Sequence, residues 1–128
     1  MAIIHKFQGN IEQGIYHWAG VMPEPSPNPS IANFEKHVLV GPNDGSENFV
    51  IRYFQLPPGG ASPLHTHAHE HGIVIVHGEC KLQIGEIFYR LSELDAVLIP
   101  GNKLHQLTNT GDQPFGFFCT IIRSAEYP

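Results

Sequence analysis

The chain has 128 residues, 41% of them hydrophobic, and a formal net charge of −5. That length suits one domain and can bury a core with no disulfide or metal staple, so a metal here would serve chemistry more than folding. The seven Lys and Arg are scattered and form no basic run, which argues against nucleic acid and anionic membrane as partners, and no stretch approaches the roughly 18 apolar residues of a membrane span.

The start, Met1 to Lys6, lacks the basic opening and long apolar run of a signal peptide, so a cytoplasmic protein is expected. Residues 1–22 are weakly patterned. Met22 to Ser30 reads MPEPSPNPS, with four prolines at alternate positions. Proline lacks the N–H that a helix interior or an inner strand needs, so this segment is an extended connector or a surface arm. Residues 1–36 are therefore read as an N-terminal extension and 37–128 as the main domain. There the pattern changes. Short runs rich in Val, Ile, Leu, Phe and Tyr occur at 37–40, 49–56, 73–77, 81–84, 88–91, 96–99, 104–108 and 115–122. Each is bounded by Gly, Pro, Asn or Asp. Many short strands at regular spacing predict an all-β sandwich or barrel, and no segment keeps a helical period. Cys80 and Cys119 form no CxxC pair; reduced thiols are the plain expectation, with one disulfide as the alternative.

Nine histidines are many for this length, and six of them (65, 67, 69, 71, 77 and 105) lie in the second half. His65 and His67 are two apart. On a strand that spacing puts both imidazoles on one face, a ready half of a metal site. A third ligand, His71, follows after a bend. A second stretch carries His105 behind a Pro100-Gly101-Asn102 turn.

These two stretches resemble the paired motifs of the cupin superfamily. In the first, Gly59, His65, His67, His71 and Gly78 fall at the family positions, with His71 where most cupins have glutamate. In the second, Pro100, His105 and Asn109 match, while Leu94 and Asn102 replace glycines; asparagine tolerates positive φ. The spacing fits over residues 37–122. The run His-x-His-x-x-Glu-His, with Arg52 before it and Phe117-Phe118-Cys119 after it, is most similar to the small four-histidine manganese cupins. The resemblance implies a double-stranded β-helix, the jelly-roll cupin barrel, usually dimeric, with one divalent metal inside. It also implies oxidative chemistry on C=C bonds. Edge strands in such barrels need cover, and the Pro-rich arm is expected to supply it to a partner in a homodimer.

Imidazole ligands suit Mn, Fe, Co, Ni, Cu and Zn and disfavour Ca and Mg; the resemblance points to Mn or Fe among them. A centre of four neutral imidazoles lacks an internal carboxylate, so it should attract anionic or enolate-like oxygen donors. His69 is expected at the surface, with contact to metal or substrate as the alternative, His77 on the barrel wall or rim, and Glu70 as a hydrogen-bond acceptor behind the ligands or a salt-bridge partner. Asn109 is read as a turn residue. Arg52 shares a face with Phe54; an inward arginine in an apolar barrel needs a partner, and a substrate carboxylate or enolate would be one, with a rim position as the alternative. By alternation Ile73, Ile75, Phe54, Phe117 and Cys119 line the cavity or pack the core, with Ile121 beside them. Arg52 and Cys119 are the expected catalytic residues, and Tyr53 and Tyr89 are possible acids or bases. Three functions remain open: an oxygenase using O₂ on a small organic substrate, a non-redox lyase, isomerase or cyclase, and a non-catalytic small-molecule or sugar-binding barrel.

Overall fold

Eight strands frame the described residues: β1 (Glu35–Val40), β2 (Phe49–Leu56), β3 (His71–His77), β4 (Cys80–Ile84), β5 (Ile87–Leu91), β6 (Ala96–Ile99), β7 (His105–Asn109) and β8 (Phe115–Ile122). A short helix α1 (Arg123–Glu126) follows β8. The computed structural model describes residues 2–24 and 35–128, so most of the expected Pro-rich arm lies outside the described residues. The strands make two antiparallel sheets, a five-stranded one in the order β1-β2-β8-β3-β6 and a three-stranded one in the order β5-β4-β7. Together they form the jelly-roll barrel. Among the described residues, no helix is long and apolar enough to cross a membrane.

Strand alternation sets the layers. On β2 the inward residues are Val50, Arg52, Phe54 and Leu56; on β8 they are Phe115, Phe117, Cys119 and Ile121. All but Arg52 join one buried cluster with Ile73, Ile75, Leu82, Ile99 and Leu107. Cys80 and Cys119 are both buried and free, so the disulfide alternative falls away.

The outward face of the same sheet is also covered. Residues 6–19 fold back as a hairpin, with Gln8 N–H bonded to His17 O and Ala19 N–H to Lys6 O, each at 2.8 Å. It lays Tyr16 and Trp18 on Tyr53, Ile51 and Phe118, and Tyr53 ends fully buried. The N-terminal extension thus seals its own barrel, in a place where sequence patterning showed little. Burying three aromatic side chains there contributes several kcal/mol.

Two turns need left-handed backbone from residues that have a Cβ: Leu94 at φ 70° and Asn102 at φ 63°. These are the positions where the motif carries glycine. A bulge between Ile75 and His77 shifts the β3–β8 register. An extra residue there reverses the alternation, so His77 faces outward. Its ring stacks on Tyr16 at 4.4 Å and lies 2.7 Å from the Tyr53 hydroxyl.

Candidate metal centre

The site is assembled at one end of the barrel by backbone pairing. His65 and His105 are cross-strand neighbours, with N–H to carbonyl bonds in both directions (3.3 and 3.1 Å). The preceding stretch is clamped the same way: Ser62 N–H reaches Leu107 O at 2.9 Å, and the Ser62 hydroxyl accepts from Leu107 N–H at 2.9 Å. His67 is fixed from the other motif, its carbonyl accepting from Asn102 N–H at 2.7 Å. That bond comes from the turn whose left-handed residue is Asn102. His71 opens β3 and pairs with Ile99 of β6, so the five-stranded sheet supplies it.

The five rings converge. His67 lies 4.9 Å from His65, 4.7 Å from His71 and 4.7 Å from His105, centroid to centroid. One nitrogen from each of His65, His67 and His105 lies within 4.8 Å of the others, and the same holds for His67, His69 and His71. His67 belongs to both trios. His69, expected at the surface, instead stacks flat on His67 at 3.7 Å.

The donor set fits one transition-metal ion. Nδ1 of His67 faces the His69 carbonyl at 2.9 Å and Nδ1 of His105 faces the Lys103 carbonyl at 2.9 Å. A carbonyl can only accept, so each Nδ1 carries the proton and each Nε2 keeps its lone pair, the arrangement ligating histidines use. Nε2 of His67 and Nε2 of His71 are 2.9 Å apart. For metal–nitrogen bonds of about 2.1 Å, two ligands at a right angle stand about 3 Å apart. Burial is the main cause that lowers the pKa of His65, His67, His69 and His71. For His71, with Arg52 adding to it, the value drops to about 3. Neutral imidazole is the form that binds metal. The cluster therefore could hold a metal.

A cavity of about 280 Å³ opens beside the histidines. Phe54, Ile73, Phe117 and Cys119 line it, as do Arg52 and Ile121. Ile75 does not: β3 carries it roughly 13 Å beyond His71, where it is fully buried in the core. Glu70 is exposed, and Tyr89 is 45% exposed on β5. Tyr53 faces away from the cavity under the hairpin, and burial raises its pKa further. Neither tyrosine is placed to move a proton in the cavity. Asn109 is more than a turn residue. It is 2% exposed, its Nδ2 donates to Leu56 O (3.0 Å) and Gln113 O (2.8 Å), and its Oδ1 accepts from Gly111 N–H (2.9 Å).

Cys119 stands between two functional groups. Arg52 Nη2 donates to its sulfur at 3.2 Å, and His71 Nδ1 lies 3.1 Å from the same sulfur. Burial raises the thiol pKa, against the lowering influence of Arg52, so the group is a neutral thiol that orients His71 and Arg52. Residues that the sequence reading did not single out complete the cavity, chiefly Lys36, Glu126 and Leu107. Lys36 is brought there by the β1–β2 register, which sets it opposite Phe54 and so on the same face. Glu126 had no signal in the sequence, since it lies in a tail without motif or period.

A family model described as "Cupin domain" matches residues 52–121. Among curated proteins, the 1-methylthio-D-xylulose 5-phosphate methylsulfurylase of Rhodospirillum rubrum is 35% identical over 78 residues, 61% of this chain and 50% of that protein. The mannose-1-phosphate guanylyltransferase RfbM of Salmonella typhimurium is 34% identical over 73 residues, 56% of this chain and 15% of its own length. The chain thus matches half or less of these relatives. Among solved structures, a cupin-2 domain from Rhodospirillum rubrum superposes with a TM-score of 0.73 at 33% identity, covering 84% of this chain and 72% of that one. A cupin 2 conserved barrel domain protein from Rhodopseudomonas palustris gives 0.78 at 26% identity, covering 94% and 80%.

Proposed function

The chain belongs to the cupin-domain family, and from that premise we propose that it is a metal-dependent enzyme of dioxygenase type, acting on a small organic substrate at a four-histidine centre. The observation that carries this reading is the convergence of the rings of His65, His67, His71 and His105, with the Nδ1 protons of His67 and His105 tied to backbone carbonyls. These four residues would hold one divalent ion, with Mn or Fe suited to the redox role. When bound, that ion would supply Lewis acidity and, if redox-active, electron transfer toward O₂.

The chain's own residues do the rest. Phe54, Ile73 and Phe117 give an apolar wall that excludes water from the substrate's body. Arg52 supplies a fixed positive charge for an anionic or enolate oxygen. Cys119 is a positioning residue that holds Arg52 and His71 in register, and its sulfur is the oxidisable group closest to the chemistry.

A non-redox lyase, isomerase or cyclase is the second reading. It is favoured by the 35% identity to a methylsulfurylase named for a sugar phosphate substrate, itself not named as an oxygenase.

Elemental analysis of protein purified without added metal, beside His67→Ala, tests the centre. One equivalent of Mn or Fe in the wild type and its loss in the variant is the expected result. Oxygen uptake with enol, diketone or alkene substrates then separates the two readings. A metal-loaded protein that turns over such substrates equally well under argon would rule out the oxygenase.

A further inference from the structure

Arg52 is 8% exposed inside an apolar barrel, and a buried guanidinium needs a counter-charge. The chain provides one from its own end. Glu126 of α1 reaches into the cavity, pairs with Arg52 Nη1 at 3.3 Å, and forms a second, close ion pair with Lys36. All three side chains are no more than 17% exposed.

The arrangement is incomplete in two respects. Among the described residues two cations face one carboxylate, so the lining keeps a surplus of positive charge. The Arg52 fork is also partly used: Nη1 meets Glu126, Nη2 meets the Cys119 sulfur, and Nε is buried with no hydrogen-bond partner among the described residues. Arginine recognises a carboxylate or phosphate best through two parallel N–H bonds, and the contact with Glu126 falls short of that.

The carboxylate is carried on a short element. α1 has four residues at the end of the chain, tied by the bond from Arg123 N–H to Asn48 O (2.9 Å) and by Ala125 against the core. Among the described residues, no other Asp, Glu, Lys or Arg lines the cavity.

We propose that Lys36 and Arg52 form a binding subsite for the oxyanion of the cavity's ligand, a carboxylate or a phosphate, and that Glu126 is an internal stand-in which the ligand displaces as α1 moves aside. This deepens the function proposed above and rests on the cavity being a substrate site. The ligand is then a small molecule with an oxyanion at the α1 end, an apolar middle, and oxygen donors reaching the histidines. A cavity of about 280 Å³ is at the small end of ligand pockets.

Calorimetric titration with acetate and with inorganic phosphate at constant ionic strength tests this, on chelator-treated and metal-loaded protein alike. Glu126→Gln should bind one of the two anions at least tenfold more tightly than wild type, and adding Arg52→Gln should abolish the gain. The better anion identifies the oxyanion class. Should Glu126→Gln not fold, a chain ending at Ser124 replaces it. Equal affinity in wild type and Glu126→Gln would overturn the proposal, and so would a gain that survives Arg52→Gln. Binding that vanishes when metal is removed would also overturn it, placing the anion on the metal and leaving the metal reading intact.

Discussion

Gly101 offers a way to disturb the histidine cluster without touching a histidine. A Cβ at this position would lie 2.1 Å from the Ala68 carbonyl oxygen and 3.1 Å from its carbon. Contacts that short do not occur, so in Gly101→Ala the turn and the histidine loop must part by roughly 1 Å. The next residue, Asn102, donates the 2.7 Å bond to His67 O, and His67 is the ring shared by both trios. Overpacking of this kind costs about 1–3 kcal/mol. Loss of an outer contact that orients a ligand lowers metal affinity by about 10- to 100-fold. Gly72→Ala is the control. Gly72 is beside His71, yet the nearest atom to its added Cβ is Thr120 O at 4.0 Å, so stability should stay within about 0.5 kcal/mol. Competition against a chelator measures affinity, and thermal unfolding by circular dichroism measures stability. If Gly101→Ala bound metal as tightly as Gly72→Ala, the claim that the second motif's turn holds His67 in place would be wrong.

Leu94→Gly should stabilise the fold by about 0.5 kcal/mol in urea titrations. The left-handed backbone costs leucine about 1–2 kcal/mol, partly offset by the freer unfolded chain that glycine brings, and the 76% exposed side chain gives up little packing. Asn109→Ala should destabilise by about 2–4 kcal/mol, since it strips hydrogen bonds from Leu56 O, Gln113 O and Gly111 N–H together; an effect below about 1 kcal/mol would mean water replaces the side chain. For chelator-treated protein, stability should fall as pH drops from 6.5 toward 3. His71 is neutral in the fold down to about pH 3, whereas the unfolded chain takes up its proton near 6.5. The unfolded state therefore binds more protons across that window, at a cost to the fold of up to about 1.4 kcal/mol per pH unit. His71→Asn should flatten the profile, and an unchanged slope would assign it to other groups.

Where a feature depends on spacing along one strand, the amino-acid pattern displays it directly. β2, β6 and β8 occupy the spans their apolar runs mark out, and alternation puts Arg52, Phe54, Phe117 and Cys119 on one face. The histidine pairs at 65/67 and 71/105 follow from two motifs with defined turns. Features that depend on what packs against what are silent in the pattern. The bulge in β3 adds one residue, so counting in twos from His71 sends His77 to the wrong side of the sheet. His69 turns toward the cluster because the loop bends until its ring stacks on His67. The hairpin at residues 6–19 lacks strong periodicity since only Tyr16 and Trp18 need to touch the sheet. Glu126 matters through a single ion-pair cluster that forms only when the chain's end meets β1 and β2.

The sealing hairpin has an optical consequence. Trp18 is the chain's one tryptophan, and its ring lies 5.2 Å from Tyr53 and 6.4 Å from Phe118, two residues that alternate with the cavity-facing ones. The thickness of a sheet separates the indole from the histidines of the cavity. Intrinsic emission from this protein therefore reports whether the hairpin is docked, and a ligand entering the barrel should leave it nearly constant while a detaching hairpin shifts it to the red. An emission change on ligand addition would reveal that the two faces of the sheet communicate.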